Sequence, residues 1–217
     1  MFSEKKISFM MMMIFIVIIT GCTKVNPAED IYHHLEKAVS LEVVFEQQQE
    51  PLSKAEIEEY EIYDKILLLT EIEEIIELAL EAKQLAALRY EMIEKERESI
   101  QSAYDEFSQI EPIIDSIEVD DLRIISDELV EAMDERYEKY MTLHNEYKDA
   151  IDLDLQLYEL VGKEDLTIEE LEVAHEKVNA SYEKINNLKE EFNQFTVQYN
   201  DLKRQFYEIG ELDVVYN

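Results

Sequence analysis

The sequence predicts an all-α fold, an elongated antiparallel up-and-down helical bundle, and three observations carry that prediction. Glycine and proline are scarce, at three each in 217 residues, whereas strand-rich folds, tight turns and phosphate-binding loops need more of them. Two capping boxes mark helix starts, Ser53 with Glu56 and Thr167 with Glu170. An apolar stripe then runs through the C-terminal part with alternating three- and four-residue spacing and no slip, the pattern of helices packed side by side as in a coiled coil.

The elements follow in chain order. Lys5 and Lys6 precede a stretch that is apolar from Ile7 to Ile19 with only Ser8 interrupting. A helix of that length covers roughly 20 Å against a bilayer core of about 30 Å, so the stretch fits a secretion signal better than a permanent span. Ile19-Thr20-Gly21-Cys22 resembles the lipobox of bacterial lipoproteins, in which the cysteine thiol takes a diacylglyceryl group and its amine becomes the new N-terminus. Residues 1–21 are therefore expected to be a lipoprotein signal peptide, with Ile19, Thr20 and Gly21 as its recognition residues. Residues 22–26 form a short linker lipidated at Cys22. Two acyl chains, palmitate among the candidates, hold a protein stably where one is marginal, since each buried methylene contributes about 0.8 kcal/mol. The single cysteine is consumed by lipid, which excludes disulfides, thiol redox chemistry and cysteine-ligated metal from the mature form.

A helical bundle is predicted over residues 27–210. Asn26 is a good N-cap and Pro27 a good first residue, so the first helix is expected over 27–49, ended by Pro51. The Ser53 box opens a second helix over 54–110, with no breaker before Pro112 and a length of roughly 85 Å if unbroken. A third is expected over 120–161, stopped by Gly162. Leu166 and Leu171 add a hydrophobic staple to the Thr167 box, which starts a fourth helix over 168–209, closed by Gly210 and followed by a tail, 211–217.

The fourth helix carries the regular stripe, running from Leu171 and Ala174 through Ile185, Phe192 and Tyr199 to Phe206 and Ile209. The third carries Leu122, Ile125, Leu129, Met133, Tyr140, Leu143, Tyr147 and Ile151. In the second, Ile72, Ala79, Ala86, Ile93, Ile100 and Phe107 recur every seven residues. Its apolar face broadens around Ile66–Leu69 and Ile75-Ile76, implying several neighbours there, and narrows from Glu94 to Ser102, implying fewer.

Charge and chemistry narrow the function. Removing residues 1–21 takes away Lys5, Lys6 and Glu4 and leaves 18 basic and 51 acidic residues, a formal net charge of −33. Such a surface repels nucleic acid and anionic head groups. Glu172-x-x-His175 has the spacing of ferritin-like iron ligands, but one copy exists where two are needed and Glu172 falls off the core face. His33 and His34 are adjacent and cannot share a helical face, and His144 has no histidine partner at helical spacing. Serines such as Ser99, Ser102 and Ser181 lie inside helices without the glycines an oxyanion site requires. No cofactor and no enzymatic activity are expected. Thirteen tyrosines without tryptophan serve mainly as core residues with their hydroxyls at the wet edge; Tyr63 and Tyr90 are candidates for contact with a glycan.

Residue counting along the second helix leaves two arrangements open. In one, the third and fourth helices reach back only to Leu68 or Leu69, so the hairpin tip stands beyond the bundle. Val43, Val44, Phe45, Ile57, Ile62 and Tyr63 then form an apolar surface for a second copy of the chain or another envelope partner. In the other, the second helix bends near Leu68 to Thr70 and the tip folds back.

Three stretches resemble the YkyA-like family of cell-wall-binding lipoproteins of low-GC Gram-positive bacteria: Pro27-Ala28-Glu29-Asp30-Ile31-Tyr32 to Leu52, Arg136-Tyr137-Glu138-Lys139-Tyr140 to Glu159, and Phe192-Asn193-Gln194-Phe195-Thr196 to Tyr207. The resemblance implies a lipid-anchored helical protein on the outer face of the membrane, acting between membrane and cell wall as a binding or scaffolding protein, and it brings no catalytic residue. The alternative is a lipid-anchored solute-binding protein or hydrolase. Poverty in lysine separates this chain from a direct adhesin for an anionic wall.

Overall fold

The computed structural model describes residues 26–212. The elements are α1 (Pro27–Leu41), α2 (Val43–Ile66), α3 (Ile72–Phe107), the single turn α4 (Glu111–Ile114), α5 (Asp120–Val161) and α6 (Ile168–Ile209), with a 3-10 turn at Ser108–Ile110 and no strand among the described residues. The expected signal peptide, with Ile19, Thr20, Gly21 and Cys22, lies outside the described residues.

Local chemistry sets the outer helix starts as the sequence indicates. The Asn26 side chain accepts the Ala28 amide at 3.2 Å and Pro27 stands in the first turn, where no amide bond is needed. Thr167 and Glu170 make both bonds of a capping box. At the other end of α6, Glu211 takes the left-handed conformation, φ 53°, and the Leu212 amide reaches back to the Tyr207 carbonyl at 3.1 Å, so the last carbonyls of α6 are satisfied.

The helices run up, down, up and down. α1 and α2 together form the first ascent, α3 descends, α5 ascends and α6 descends. α2 and α1 lie along α3, α3 along α5, and α5 along α6. At 42 residues, α5 spans roughly 63 Å. Apolar clusters follow one another along this axis. Leu35, Phe107, Leu129 and Phe206 fill the end where the chain enters. Ile93, Tyr140, Ile151 and Phe192 fill the middle, and Ile62, Ala82, Leu157 and Val161 the far end. Every stripe residue expected on the third helix, from Leu122 to Ile151, is buried in α5.

Two helix boundaries differ from expectation. Ser53 with Glu56 does not start a helix, and α2 runs on through Pro51, which does not end one. Its side chain and Gln47, whose carbonyl loses its helical partner, both face solvent, while Leu52 and Ala55 bury on α3. The chain breaks instead at Glu42, whose amide turns back to the Val39 carbonyl at 3.1 Å. The second expected helix is interrupted between Ile66 and Ile72, so α2 folds back along α3, the arrangement with a bend near Leu68 to Thr70 and not the one with a projecting tip. That break places Leu52, Ile62 and Ile66 in the core, each large side chain contributing about 1.5–3 kcal/mol, against about 0.5–1.5 kcal/mol net for each helical bond given up.

The hairpin tip therefore does not project beyond the bundle. Of the six residues expected to form an open apolar surface, Ile62 is 5% exposed and belongs to the core. Phe45 packs edge-on against Tyr140 and Phe192, and Tyr63 against Tyr158. Only Val43, Val44 and Ile57 stay open, at 44%, 43% and 57% exposure. The apolar broadening at Ile66–Leu69 marks the turn itself, where Leu68 is exposed, and the polar stretch from Glu94 to Ser102 buries Glu96, Ser99 and Ile100. This packing makes a paired prediction for unfolding in denaturant. Ile62→Ala should lose about 2–4 kcal/mol, and Ile57→Ala less than about 0.5 kcal/mol. Equal losses would contradict the folded-back α2.

Candidate functional site

Among the described residues five charged side chains are buried, and each sits where its helix stripe calls for an apolar residue. On α3 the positions Ile75, Ala82, Arg89, Glu96 and Ala103 recur every seven residues. Glu59 lies between Ala55 and Ile62 on α2, and Arg136 and Asp154 continue the stripe of α5. An arginine in such a position has to bring its counter-charges with it.

Arg89 does so from three other helices. Its Nη1 donates to Glu59 Oε2 of α2 at 2.7 Å and to Asp154 Oδ2 of α5 at 3.0 Å, and its Nη2 donates to the Tyr182 hydroxyl of α6 at 2.6 Å. Tyr182 donates onward to Asp154 at 2.6 Å, and Tyr158 donates to the other Glu59 oxygen at 2.8 Å. Burial pushes both carboxyls above their ordinary range, and Arg89 pulls them back. Nearer the chain entry, Arg136 holds both Glu42 oxygens, at 2.7 and 2.8 Å, and donates to Thr196 Oγ1 at 3.0 Å. Its guanidinium lies over the Phe192 ring at 5.1 Å. That fork fixes the break between α1 and α2 against α5 and α6.

α6 lies close along α5 but meets α1 and α2 through side chains, such as Tyr207 on Glu36, Phe192 on Phe45 and His175 on Tyr63. A seam is left between α2 and α6, and it holds two hollows that adjoin at Glu56, which lines both. The first, about 460 Å³, lies toward the far end of the bundle, with Tyr60, Tyr63, His175, Asn179 and Tyr182 on its walls and the Arg89 network at its base. The second, about 220 Å³, lies at mid-height and is lined by Gln49, Glu96, Tyr140, His144, Tyr147 and Lys189, among others.

The middle hollow carries unusual polar groups. The hydroxyls of Tyr140 and Tyr147 are buried without a hydrogen-bond partner, although their residues are only 2% and 3% exposed. Burial holds His144 below the ordinary histidine range. Its Nε2 stands 3.3 Å from Glu94 Oε1 but off the alignment a hydrogen bond needs. Burial likewise pushes the Glu96 carboxyl up to about 7, with Lys189 opposing, Glu56 adding and a hydrogen bond from Gln49 at 2.8 Å opposing.

The sequence expectations map onto this seam unevenly. Phe45 and Tyr63 line the hollows, whereas Val43, Val44, Ile57 and Ile62 do not. Tyr90 stands on α3, away from the seam, with Lys148 over its ring at 5.2 Å. His175 contacts Tyr63, and Glu172 is exposed; among the described residues no three His, Cys, Asp or Glu side chains are grouped as a metal ion requires. Arg89, Glu59, Asp154, Glu96 and Arg136 were not singled out by sequence reasoning. Their signal was a charge interrupting an otherwise apolar seven-residue repeat.

Residues 26–209 match the model of the YkyA family, described as "Putative cell-wall binding lipoprotein". A curated relative, "Uncharacterized lipoprotein YkyA" of Bacillus subtilis (strain 168), is 32% identical over 158 residues, covering 72% of this chain and 71% of that protein. Among solved structures, a conserved protein of unknown function from Staphylococcus aureus superposes with a TM-score of 0.75 at 13% identity, over 82% of this chain and 91% of that one, a likeness of fold.

Two predictions follow from the buried charges. Arg89→Met leaves Glu59 and Asp154 facing each other, and should cost about 3–5 kcal/mol at neutral pH. Arg89 lowers both carboxyl pKa values against the effect of burial, so without it they rise further, and the two carboxyls are neutral at low pH and become charged as pH rises. The penalty should therefore be smaller near pH 5 than at pH 8 in urea unfolding, and a penalty independent of pH would refute the network. Glu96 titrates near 7 folded against 4.5 ordinarily, so its contribution to stability is present below about 4.5 and is lost as pH rises through 7. Glu96→Gln should stabilise the chain by about 2–3 kcal/mol at pH 8 and change little at pH 4.5.

Proposed function

The chain belongs to the YkyA family of lipoproteins, and from that membership we propose that it is a non-catalytic, lipid-anchored envelope protein that binds the cell wall through the seam between α2 and α6. In this reading Cys22 carries the lipid and holds the chain to the outer face of the cell membrane of a Gram-positive bacterium. The seam supplies the supporting observation: two long helices are bridged there by side chains, with two adjoining hollows between them.

The position of the seam suits that role. α1 begins five residues after Cys22, so the lipid end of the molecule is the end holding Pro27, α4 and Gly210. The far hollow, lined by Tyr60 and Tyr63, stands roughly 50 Å up the bundle, at about 1.5 Å per helical residue. A lipid at one end and a hollow near the other would present the binding face away from the membrane. No helix among the described residues is long and apolar enough to cross a membrane, and the lipid supplies the attachment. A binding role also fits the carboxylates at the base of the far hollow. Glu59 and Asp154 are tied to Arg89 and to tyrosine hydroxyls, which withholds them from acid-base work.

Both wall polymers and this chain are anionic, so charge alone opposes the encounter. Retention of the full chain, in detergent, on purified wall sacculi should rise with screening salt or with magnesium or calcium ions, and should fall on Tyr60→Ala with Tyr63→Ala. Cys22→Ser should abolish fatty-acid labelling in cells and release the chain from the membrane fraction. No retention on sacculi under any ionic condition would sink the wall-binding reading, and continued labelling of the serine variant would sink the anchor.

A further inference from the structure

We propose that the seam between α2 and α6 is a saccharide-binding groove, in which the middle hollow holds a hydroxyl-rich sugar ring on Tyr140, Tyr147 and His144 and the far hollow continues the chain of sugars toward Tyr60 and Tyr63. This deepens the wall-binding reading and rests on it for the choice of face. The chemistry of the ligand comes from the groups left without partners.

A buried polar group without a partner carries a desolvation cost of about 1–3 kcal/mol, so two tyrosine hydroxyls left so in one hollow, with the His144 imidazole beside them, call for an occupant. All three belong to residues that are less than a tenth exposed. A tyrosine hydroxyl donates and accepts, and a neutral imidazole offers one nitrogen of each kind. A metal ion or ammonium cannot accept, and a phosphate or carboxylate cannot donate. A ligand that both donates and accepts at several points matches the whole set, and a sugar ring does so through its several hydroxyls. Charge agrees: Glu56, Glu59, Asp64 and Asp154 line the far hollow against the lone cation Arg89, which opposes an anionic polymer.

The rings complete the case. Tyr60 is 65% exposed at the rim of the far hollow, so its face is open to stack on a sugar. Phe45 and Phe192 wall the middle hollow. The two hollows adjoin at Glu56, and the groove from Phe45 to Leu67 measures roughly 33 Å along α2. That length suits an oligomer more than a single ring. A pocket with apolar rings and a few placed polar groups is also how small-ligand sites are usually built.

The test is calorimetric titration of the full chain in detergent with chitotetraose, with a sugar-free wall peptide and with polyglycerol phosphate. The expected result is saturable binding of the saccharide, with little binding of the other two. Tyr140→Phe with Tyr147→Phe should weaken it by about tenfold or more, each lost hydrogen bond accounting for several-fold. The same double variant should melt at the same temperature as the parent or higher, because only the unpartnered hydroxyls are removed. No saturable saccharide binding, equal affinity in the double variant, or binding of the peptide or phosphate polymer alone would overturn the proposal. Retention on sacculi separates the two readings. Sacculi held by a chain that binds no saccharide would leave wall binding standing and remove this site. Saccharide binding without retention on sacculi would keep the site and remove the wall.

Discussion

The buried guanidinium of Arg89 is the constraint on which the arrangement of the four long helices rests. It is on α3, and it draws Glu59 from α2, Asp154 from α5 and Tyr182 from α6 into one hydrogen-bonded group. Apolar side chains in place of Arg89, Glu59 and Asp154 together would give comparable stability, since desolvating the ions costs nearly as much as their attraction returns. What the charge adds is selectivity of register. A shift of one helix by a turn would strand a buried carboxylate or the arginine itself, at a cost of several kcal/mol. Arg136 plays the same part nearer the chain entry, where its fork on Glu42 sets the break between α1 and α2.

The seam is a consequence of that packing. Small residues bring α3 close to its neighbours, as Ala79, Ala82 and Ala86 are buried there. Between α2 and α6 the facing residues are Phe45, Tyr63, Tyr182 and Phe192, which hold the two helices apart. Rings spaced along a widened seam leave hollows between them, whereas alanines would have closed it. The tyrosines that belong to the core by periodicity, Tyr140 and Tyr147, are thus also the lining of a cavity.

Placing arginines in the core has a further effect on the surface. The chain has five arginines, and Arg89 and Arg136 are buried, so part of an already small cationic complement is spent inside. Three acids, Glu59, Glu96 and Asp154, are buried with them, so the outer faces keep the strongly acidic balance of the composition. For a member of a family of lipoproteins, this means that surface charge opposes an anionic polymer, and it directs attention to the groove, whose lining is rich in hydroxyls and rings.

The sequence by itself determined what is decided over a few turns of helix. The Asn26-Pro27 start, the Thr167-Glu170 box and the α5 stripe all depend on groups within about one turn of each other, and each is seen as read. The tertiary structure alone decided the rest. Between Ile66 and Ile72 there is no glycine or proline to mark a turn, and the apolar period runs on unbroken. The break exists because folding α2 back buries Leu52, Ile62 and Ile66, an energy that no local propensity reports. Pro51, a strong local signal, was overridden for the same reason. The charges at Arg89 and Glu96 were legible as interruptions of a seven-residue repeat. Their meaning was not, because the partners of Arg89 lie 30, 65 and 93 residues away and meet it only when four helices are in register. The hollows were illegible altogether, since a cavity is set by how far apart two helices stand, and that distance belongs to their packing and not to either helix alone.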